Sequence, residues 1–302
     1  MRSEVIKSGL ERAAQRALLK STGLTDNEIG RPWVAIANSW NEIVPGHIHL
    51  KQIAEAAKAG VREAGGTPFE FNTIAVCDGL CQGTAGMKYS LPSRDLIADS
   101  IEVMVEAHQF DAMVLIPSCD KSVPGMLMVA ARLNIPSIVV TGGPMLPGFY
   151  KGKKLTLVNV RECVGAAKAG RISVDYLAEI EKRACPGPGS CAMMATANTM
   201  AAATEAMGMS MSGCATTHAT DAAKLRLANE SGKKVLELLN EGIRPSEIIV
   251  REAFQNAITI DVALGGSLNT CLHLPAIASE LGIRIDLDLF DHIRAYPKTV
   301  SR

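Results

Sequence analysis

Two copies of one dipeptide, Cys77-Asp78 and Cys119-Asp120, are the residues best equipped for chemistry in this chain. A thiolate is a soft ligand suited to iron–sulfur clusters, zinc or copper(I), whereas a carboxylate is a hard ligand suited to magnesium or manganese. Adjacent residues leave the backbone in different directions, so one Cys-Asp step can serve two neighbouring metals. A single copy reads as a buried cysteine beside a turn-forming aspartate. Two copies in matching settings point to metal binding.

A third thiol site is the loop Cys185-Pro186-Gly187-Pro188-Gly189-Ser190-Cys191. Cys191 is expected to open a long helix through Thr196-Ala197-Asn198, where the positive end of the helix dipole favours a thiolate. Cys191 is therefore a candidate cluster ligand, and Cys185 is either a second ligand or a residue that fixes the loop. Cys77 and Cys81 lie four apart, but the glycines around them argue against a regular helix. The turn Leu264-Gly265-Gly266-Ser267-Leu268-Asn269-Thr270 suits a carboxylate or phosphate, or simply caps a helix. His47 and His49 bracket a turn without an acidic partner in sequence and read as structural. His108, His218, His273 and His292 are scattered, and the methionines between Met193 and Met209 read as core filling.

The elements that must position these residues alternate. Trp33–Ala37, Thr73–Val76, Ala112–Ile116 and Ser137–Val140 read as strands. Helical patterns lie between them at Leu50–Glu63, Arg94–Ala107 and from Pro124 to about Leu133. Such alternation predicts a three-layer α/β/α fold with a mostly parallel sheet. In open parallel sheets ligands gather at the carboxyl ends of the strands, and both Cys-Asp pairs fall at such ends. Beyond about Lys151 helices dominate, predicted at Val174–Lys182, Cys191–Met207, Asp221–Ala228, Lys233–Leu239, Ser246–Ala257 and Leu272–Leu281. This helix-rich section belongs to the same domain, residues 1–302, with Pro147–Lys154 as a loop between subdomains. The end, Pro297–Arg302, has no closing feature.

Composition narrows the classes. The 302 residues are 47% hydrophobic and 21% charged, with 31 basic and 31 acidic residues, as in an ordinary globular protein. No basic field or run recommends a nucleic-acid partner. No apolar stretch approaches the ~20 residues that span a bilayer, and the first residues lack a signal-peptide core. A cytoplasmic protein is expected, or one imported into an organelle matrix. Its eight cysteines then read as reduced thiols.

Taken in order, several strings resemble the dihydroxy-acid and phosphogluconate dehydratase family, on its dihydroxy-acid side. They are Asn41-Glu42-Ile43-Val44-Pro45-Gly46-His47, Phe71-Asn72-Thr73-Ile74, Cys77-Asp78-Gly79, Tyr89-Ser90-Leu91-Pro92-Ser93-Arg94 and Cys119-Asp120-Lys121 with Pro124-Gly125-Met126. Val140-Thr141-Gly142-Gly143-Pro144, the Cys191 loop and Leu264-Gly265-Gly266-Ser267 follow. The resemblance implies a hydro-lyase that converts 2,3-dihydroxy-3-methyl acids to 2-keto acids in branched-chain amino-acid biosynthesis. It implies Cys119 and Cys191 as cluster ligands, Asp78 and Asp120 as magnesium ligands, and Lys121 as a carbamylated lysine on the same ion. A homodimer is the implied assembly.

Three departures accompany it. Many members with a 2Fe–2S cluster carry a cysteine where Gly46 stands; Cys77 is then the expected third ligand, and a 4Fe–4S cluster gains weight. Gln82-Gly83-Thr84-Ala85-Gly86 replaces a Met-Gly-His-Glu-Gly string. The family's β-rich domain, with a further glutamate ligand and a serine base, is absent from these 302 residues. An incomplete chain, or one half of a split enzyme partnered by a separate C-terminal chain, is expected.

Overall fold

The computed structural model describes residues 1–295; the Pro297–Arg302 segment lies outside them. Three short helices, α1 (Glu4–Lys7), α2 (Ala13–Ser21) and α3 (Asp26–Gly30), precede the sheet. Then β1 (Trp33–Asn38), α4 (Leu50–Glu63), β2 (Thr67–Asn72), α5 (Asp78–Cys81), α6 (Ser90–His108), β3 (Ala112–Ile116), α7 (Ser122–Leu133) and β4 (Ser137–Val139) alternate. The four strands are parallel, in the order β2-β1-β3-β4. The chain leaves β1 toward one side and returns on the other, so the switch point lies at the carboxyl ends of β1 and β3.

Strand residues alternate between two buried faces, which explains their nearly continuous apolar character. Ala35, Ala37, Met113, Leu115 and Val139 enter one core with α6 and α7, while Val34, Ile36, Val114, Ile116 and Ile138 enter another with α4. The first core is completed by α10 (Thr196–Ala206), α13 (Arg251–Leu264) and α14 (Thr270–Glu280). The second is completed by α11 (Ala222–Glu241). This is the expected three-layer arrangement. A hairpin, β5 (Gly148–Tyr150) and β6 (Lys153–Leu155), joins α8 (Leu157–Lys168) and α9 (Val174–Ala184) around a small core of Leu155, Ile180 and Ala184. The short α12 (Pro245–Ile248) precedes α13, and α15 (Leu287–Ala295) packs against α13.

Several expectations need correction. The second strand is Thr67–Asn72, not Thr73–Val76, because only the former lies alongside β1; the last ladder-like bond runs from Thr73 N–H to Asn38 O at 3.0 Å. Pro68 obscured it, and an edge strand tolerates that proline. The helices expected at Asp221–Ala228 and Lys233–Leu239 are one, α11. Ser231-Gly232 looks like a break, yet a Cβ on Gly232 would strike the Ala57 carbonyl, and one on Gly60 the Asn229 carbonyl. These glycines let α4 and α11 touch backbone to backbone. The helix expected at Ser246–Ala257 is divided into α12 and α13 at Ile249-Val250. The loop at Pro147–Lys154 contains the β5–β6 hairpin. The glycines after Cys77 do not prevent a helical turn: Cys77 is the N-cap residue of α5, and Cys81 N–H donates to its carbonyl at 3.1 Å.

Candidate metal centre

The carboxyl ends of the strands bring three cysteine segments to one cavity of about 190 Å³, several times the ~30 Å³ share of one water. Cys77, Cys119, Cys185 and Cys191 all line it, as does Gly46. Cys77 and Cys119 are neighbours there, and the interaction between their thiols moves their titrations in opposite directions. That interaction, helped by the N–H groups of Leu80 and Gly79, pulls the Cys77 thiol down to about 6 and holds the Cys119 thiol well above its ordinary value. Cys163 lies in α8 against the small satellite core, away from the cavity.

Cys191 does not open a helix. It lies in irregular chain five residues before α10 begins at Thr196, and burial pushes its thiol up to about 11, with the charges of Asp120, Cys77 and Cys185 adding to the effect. Backbone bonds hold its loop instead. Ser190 N–H donates to Gly143 O at 3.0 Å, Met145 N–H to Ser190 O at 2.7 Å, and Gly189 N–H to Pro45 O at 3.1 Å. Asn198 completes the brace: its amide donates to Cys191 O at 2.6 Å and Met193 O at 2.7 Å and accepts from Ser190 Oγ at 2.6 Å. Spacing along the sequence gave this residue no role.

Beside the thiols lies a buried oxygen and nitrogen cluster. Lys121 Nζ donates to Asp78 Oδ2 at 2.7 Å, with side-chain exposures of 7% and 12%. The pair is thus buried, unlike a flexible surface ion pair. Asp78 Oδ1 is buried without a partner. Asp120 accepts from Ala197 N–H in the first turn of α10, and burial, followed by the nearby charge of Asp78, raises its pKa. The two Cys-Asp steps thus deliver thiols to the cavity and carboxylates to its neighbour.

Among the described residues, no three His, Cys, Asp or Glu side chains close on one point tightly enough for a single metal ion. Tetrahedral zinc, with Zn–S near 2.3 Å, would bring its sulfurs within roughly 4 Å of one another. Four cysteines lining one cavity suit a polynuclear cluster.

The two histidines read as structural from the sequence do hold turns in place, whereas Lys224 had no signal there. His49 Nε2 bonds Gly142 O at 2.9 Å and His47 Nδ1 bonds Ser39 O at 2.6 Å, fixing the turns after β4 and β1. Lys224, fully buried, donates to Cys214 O beneath the Gly143 turn. The Leu264–Thr270 turn is internally satisfied, with Asp261 accepting from Thr270 Oγ1 at 2.6 Å and from Gly266 N–H through its backbone carbonyl at 2.9 Å. That carboxylate disfavours an anion there.

Residues 31–300 match the family described as dihydroxy-acid/6-phosphogluconate dehydratase, N-terminal. The chain belongs to this family. It is similar over its full length to dihydroxy-acid dehydratase 1 of Methanosarcina acetivorans, with 59% identity over 302 residues, and covers 55% of that protein. It is 56% identical over 303 residues to the dihydroxy-acid dehydratase of Methanothermobacter thermautotrophicus, again covering 55% of it. To that of Caldicellulosiruptor saccharolyticus it is 59% identical over 293 residues, covering 53%. The chain spans about half the length of these curated relatives. Membership implies in general a metal or iron–sulfur cofactor. No helix among the described residues is long and apolar enough to cross a membrane.

Proposed function

We propose that this chain supplies the metal platform of a hydro-lyase acting on 2,3-dihydroxy-3-methyl acids, whose 2-keto products feed branched-chain amino-acid biosynthesis. The observation that carries it is the division made by the two Cys-Asp steps, with thiols facing one cavity and carboxylates a buried Lys121 beside it. Cys77, Cys119 and Cys191 would hold an iron–sulfur cluster. Asp78, Asp120 and a carbamylated Lys121 would hold magnesium, for which three oxygen ligands are apt. The unpartnered Asp78 Oδ1 supports an absent cation there. Bound in these places, the two groups would supply Lewis acidity at the hydroxyl that leaves and at the substrate's carboxylate end.

The chain's own residues hold and shape that site. Asn198 and the Gly143 turn fix Cys191, and the α10 N-terminus orients Asp120. We assign the proton-abstracting base, a serine, to the remaining half of the relatives' length. Action on a sugar acid of the phosphogluconate type is the second reading, since the family description includes it; the relatives' names favour the first. A non-catalytic iron–sulfur or zinc-binding subunit is a third, which the visible spectrum and the turnover assay separate from the first.

Protein purified without air should be brown, with iron and sulfide in equal amounts. With a chain corresponding to the relatives' second half, it should dehydrate 2,3-dihydroxy-3-methylbutanoate and leave 6-phosphogluconate untouched. A colourless protein with one zinc, or turnover of the sugar acid alone, would sink the proposal.

A further inference from the structure

His273 and Arg94 form a buried pair that the thiol cavity does not explain. His273 is fully buried on α14, and its Nδ1 lies 3.3 Å from Arg94 Nη1 on α6. A guanidinium only donates, so Nδ1 must accept, and the hydrogen of the neutral ring resides on Nε2. That Nε2–H has no partner, nor has Arg94 Nε. The ring shares its surroundings with the centre described above: Lys121 and Arg94 act on it electrostatically as cations and Asp78 as an anion, and burial with these cations keeps it neutral. Helix α14 packs on α7, whose N-cap residue is Lys121. The His273–Arg94 pair thus leaves two orphaned buried donors, one of them on a ring within electrostatic reach of the Lys121–Asp78 ion pair. An orphaned buried donor costs ~1–3 kcal/mol, so a structural histidine would ordinarily have found an acceptor.

We propose that His273, oriented by Arg94, is the positioning residue for the carbamate of Lys121, its Nε2–H donating to a carbamate oxygen. The inference rests on the carbamylation assigned under the proposed function and adds the residues that receive the new group. In the step itself, the Lys121 ammonium releases a proton and the amine attacks the carbon of carbon dioxide. The N–C bond forms as one C=O π pair moves to oxygen, and the nitrogen loses a second proton. The sum is ammonium plus carbon dioxide giving carbamate plus two protons, both passed to solvent, with no redox change. The side chain goes from +1 to −1 and its ion pair with Asp78 turns repulsive. A donor must then appear on the protein side. Neutral His273 offers one without adding a charge that would compete with a bound cation.

The experiment is labelling with ¹³C-bicarbonate in the presence of magnesium, read as a carbamate carbon by NMR. Lys121→Met identifies the signal by its loss. His273→Phe should raise the bicarbonate concentration needed for half-labelling by roughly tenfold or more, the worth of a hydrogen bond to a charged group. His273→Gln places an amide N–H near the position of Nε2 and should label much like wild type, whereas His273→Asn, which reaches only the Nδ1 position, should label poorly. Should the phenylalanine variant fail to fold, the Gln and Asn pair still decides. Equal labelling of Gln and Asn variants at wild-type bicarbonate would overturn the role of His273 while leaving carbamylation standing. An unlabelled wild type would overturn both. Normal labelling with weakened binding of the dihydroxy acid would mean that the donor serves the substrate carboxylate, and the proposal would fall.

Discussion

Introducing a thiol at Gly46 is the sharpest test of which cysteines hold the cluster. A Cβ built on Gly46 would lie 3.4 Å from Ser118 Oγ and 3.5 Å from Gly189 O, both ordinary contacts, and the residue is not among those with positive φ. Cysteine therefore fits without strain and enters the wall shared by Cys77, Cys119 and Cys191. Restricting the unfolded chain favours the variant by ~0.4–1 kcal/mol, and the small cost of crowding the cavity opposes it. The melting temperature of Gly46→Cys should stay within a few degrees of wild type. Gly142→Cys and Gly189→Cys provide the contrast. The former would collide with Ser118 and approach Leu50, and the latter needs φ +127° with its Cβ 2.5 Å from Met145 N; each should cost about 2 kcal/mol or more. Cluster content, measured by visible absorbance and by iron and sulfide, should vanish in Cys77→Ser. It should partly return in the double variant Gly46→Cys, Cys77→Ser. Full occupancy in Cys77→Ser alone would show that the third ligand is wrong. A Gly46→Cys protein as unstable as the Gly142 variant would refute the steric reasoning.

Cys119→Ser should abolish the visible absorbance while Cys163→Ser, away from the cavity, keeps it; equal loss in both would discredit the ligand assignment. Asn198→Ala removes three hydrogen bonds and leaves the Cys191 carbonyl wanting, while Met193 O keeps Ala195 N–H at 3.0 Å, a cost of ~1–3 kcal/mol, so its cluster should bleach faster in air than that of wild type; an unchanged bleaching rate argues against the brace. His47 is buried, and burial above all lowers its pKa to about 4 from 6.5. The unfolded chain then binds a proton that the native state refuses, so stability is full above pH 6.5 and falls by about 3 kcal/mol as pH drops to 4. Urea unfolding across that window should show the slope, and His47→Gln should reduce it without abolishing it, since buried His49 and His273 are lowered too; an identical slope in His47→Gln would contradict the burial of a neutral imidazole at His47.

Period and chemistry made much of this legible. Ala112–Ile116 and Leu50–Glu63 were readable to the residue because each has an uninterrupted pattern and clear flanks. Both Cys-Asp steps marked, through residue type alone, the place where the fold gathers thiols and carboxylates. What stayed hidden depends on contacts between distant segments. Gly232 reads as a helix breaker until its neighbour Ala57 is known, and Asn198 reads as an ordinary helical residue until the chain from Ser190 to Met193 folds back on it. His273 has no sequence neighbour that marks it, since Arg94 lies 179 residues away.

The misplaced second strand has the same origin, and it accounts for how the site is assembled. Cys77 follows β2 and Cys119 follows β3, and these strands are second neighbours with β1 between them. Strands so placed lie ~10 Å apart, too far for the two sulfurs to meet across a continuing sheet. They do meet. Residues 73–77 must therefore leave the strand direction once Thr73 has bonded to Asn38 O, and cross above the end of β1 toward β3. Had Thr73–Val76 continued as a strand, Cys77 would have been carried along the sheet axis and the thiol pair lost. The apolar run that mimics a strand is the linker that brings Cys77 to the cavity, and the turn of α5 beyond it carries Asp78 onto Lys121.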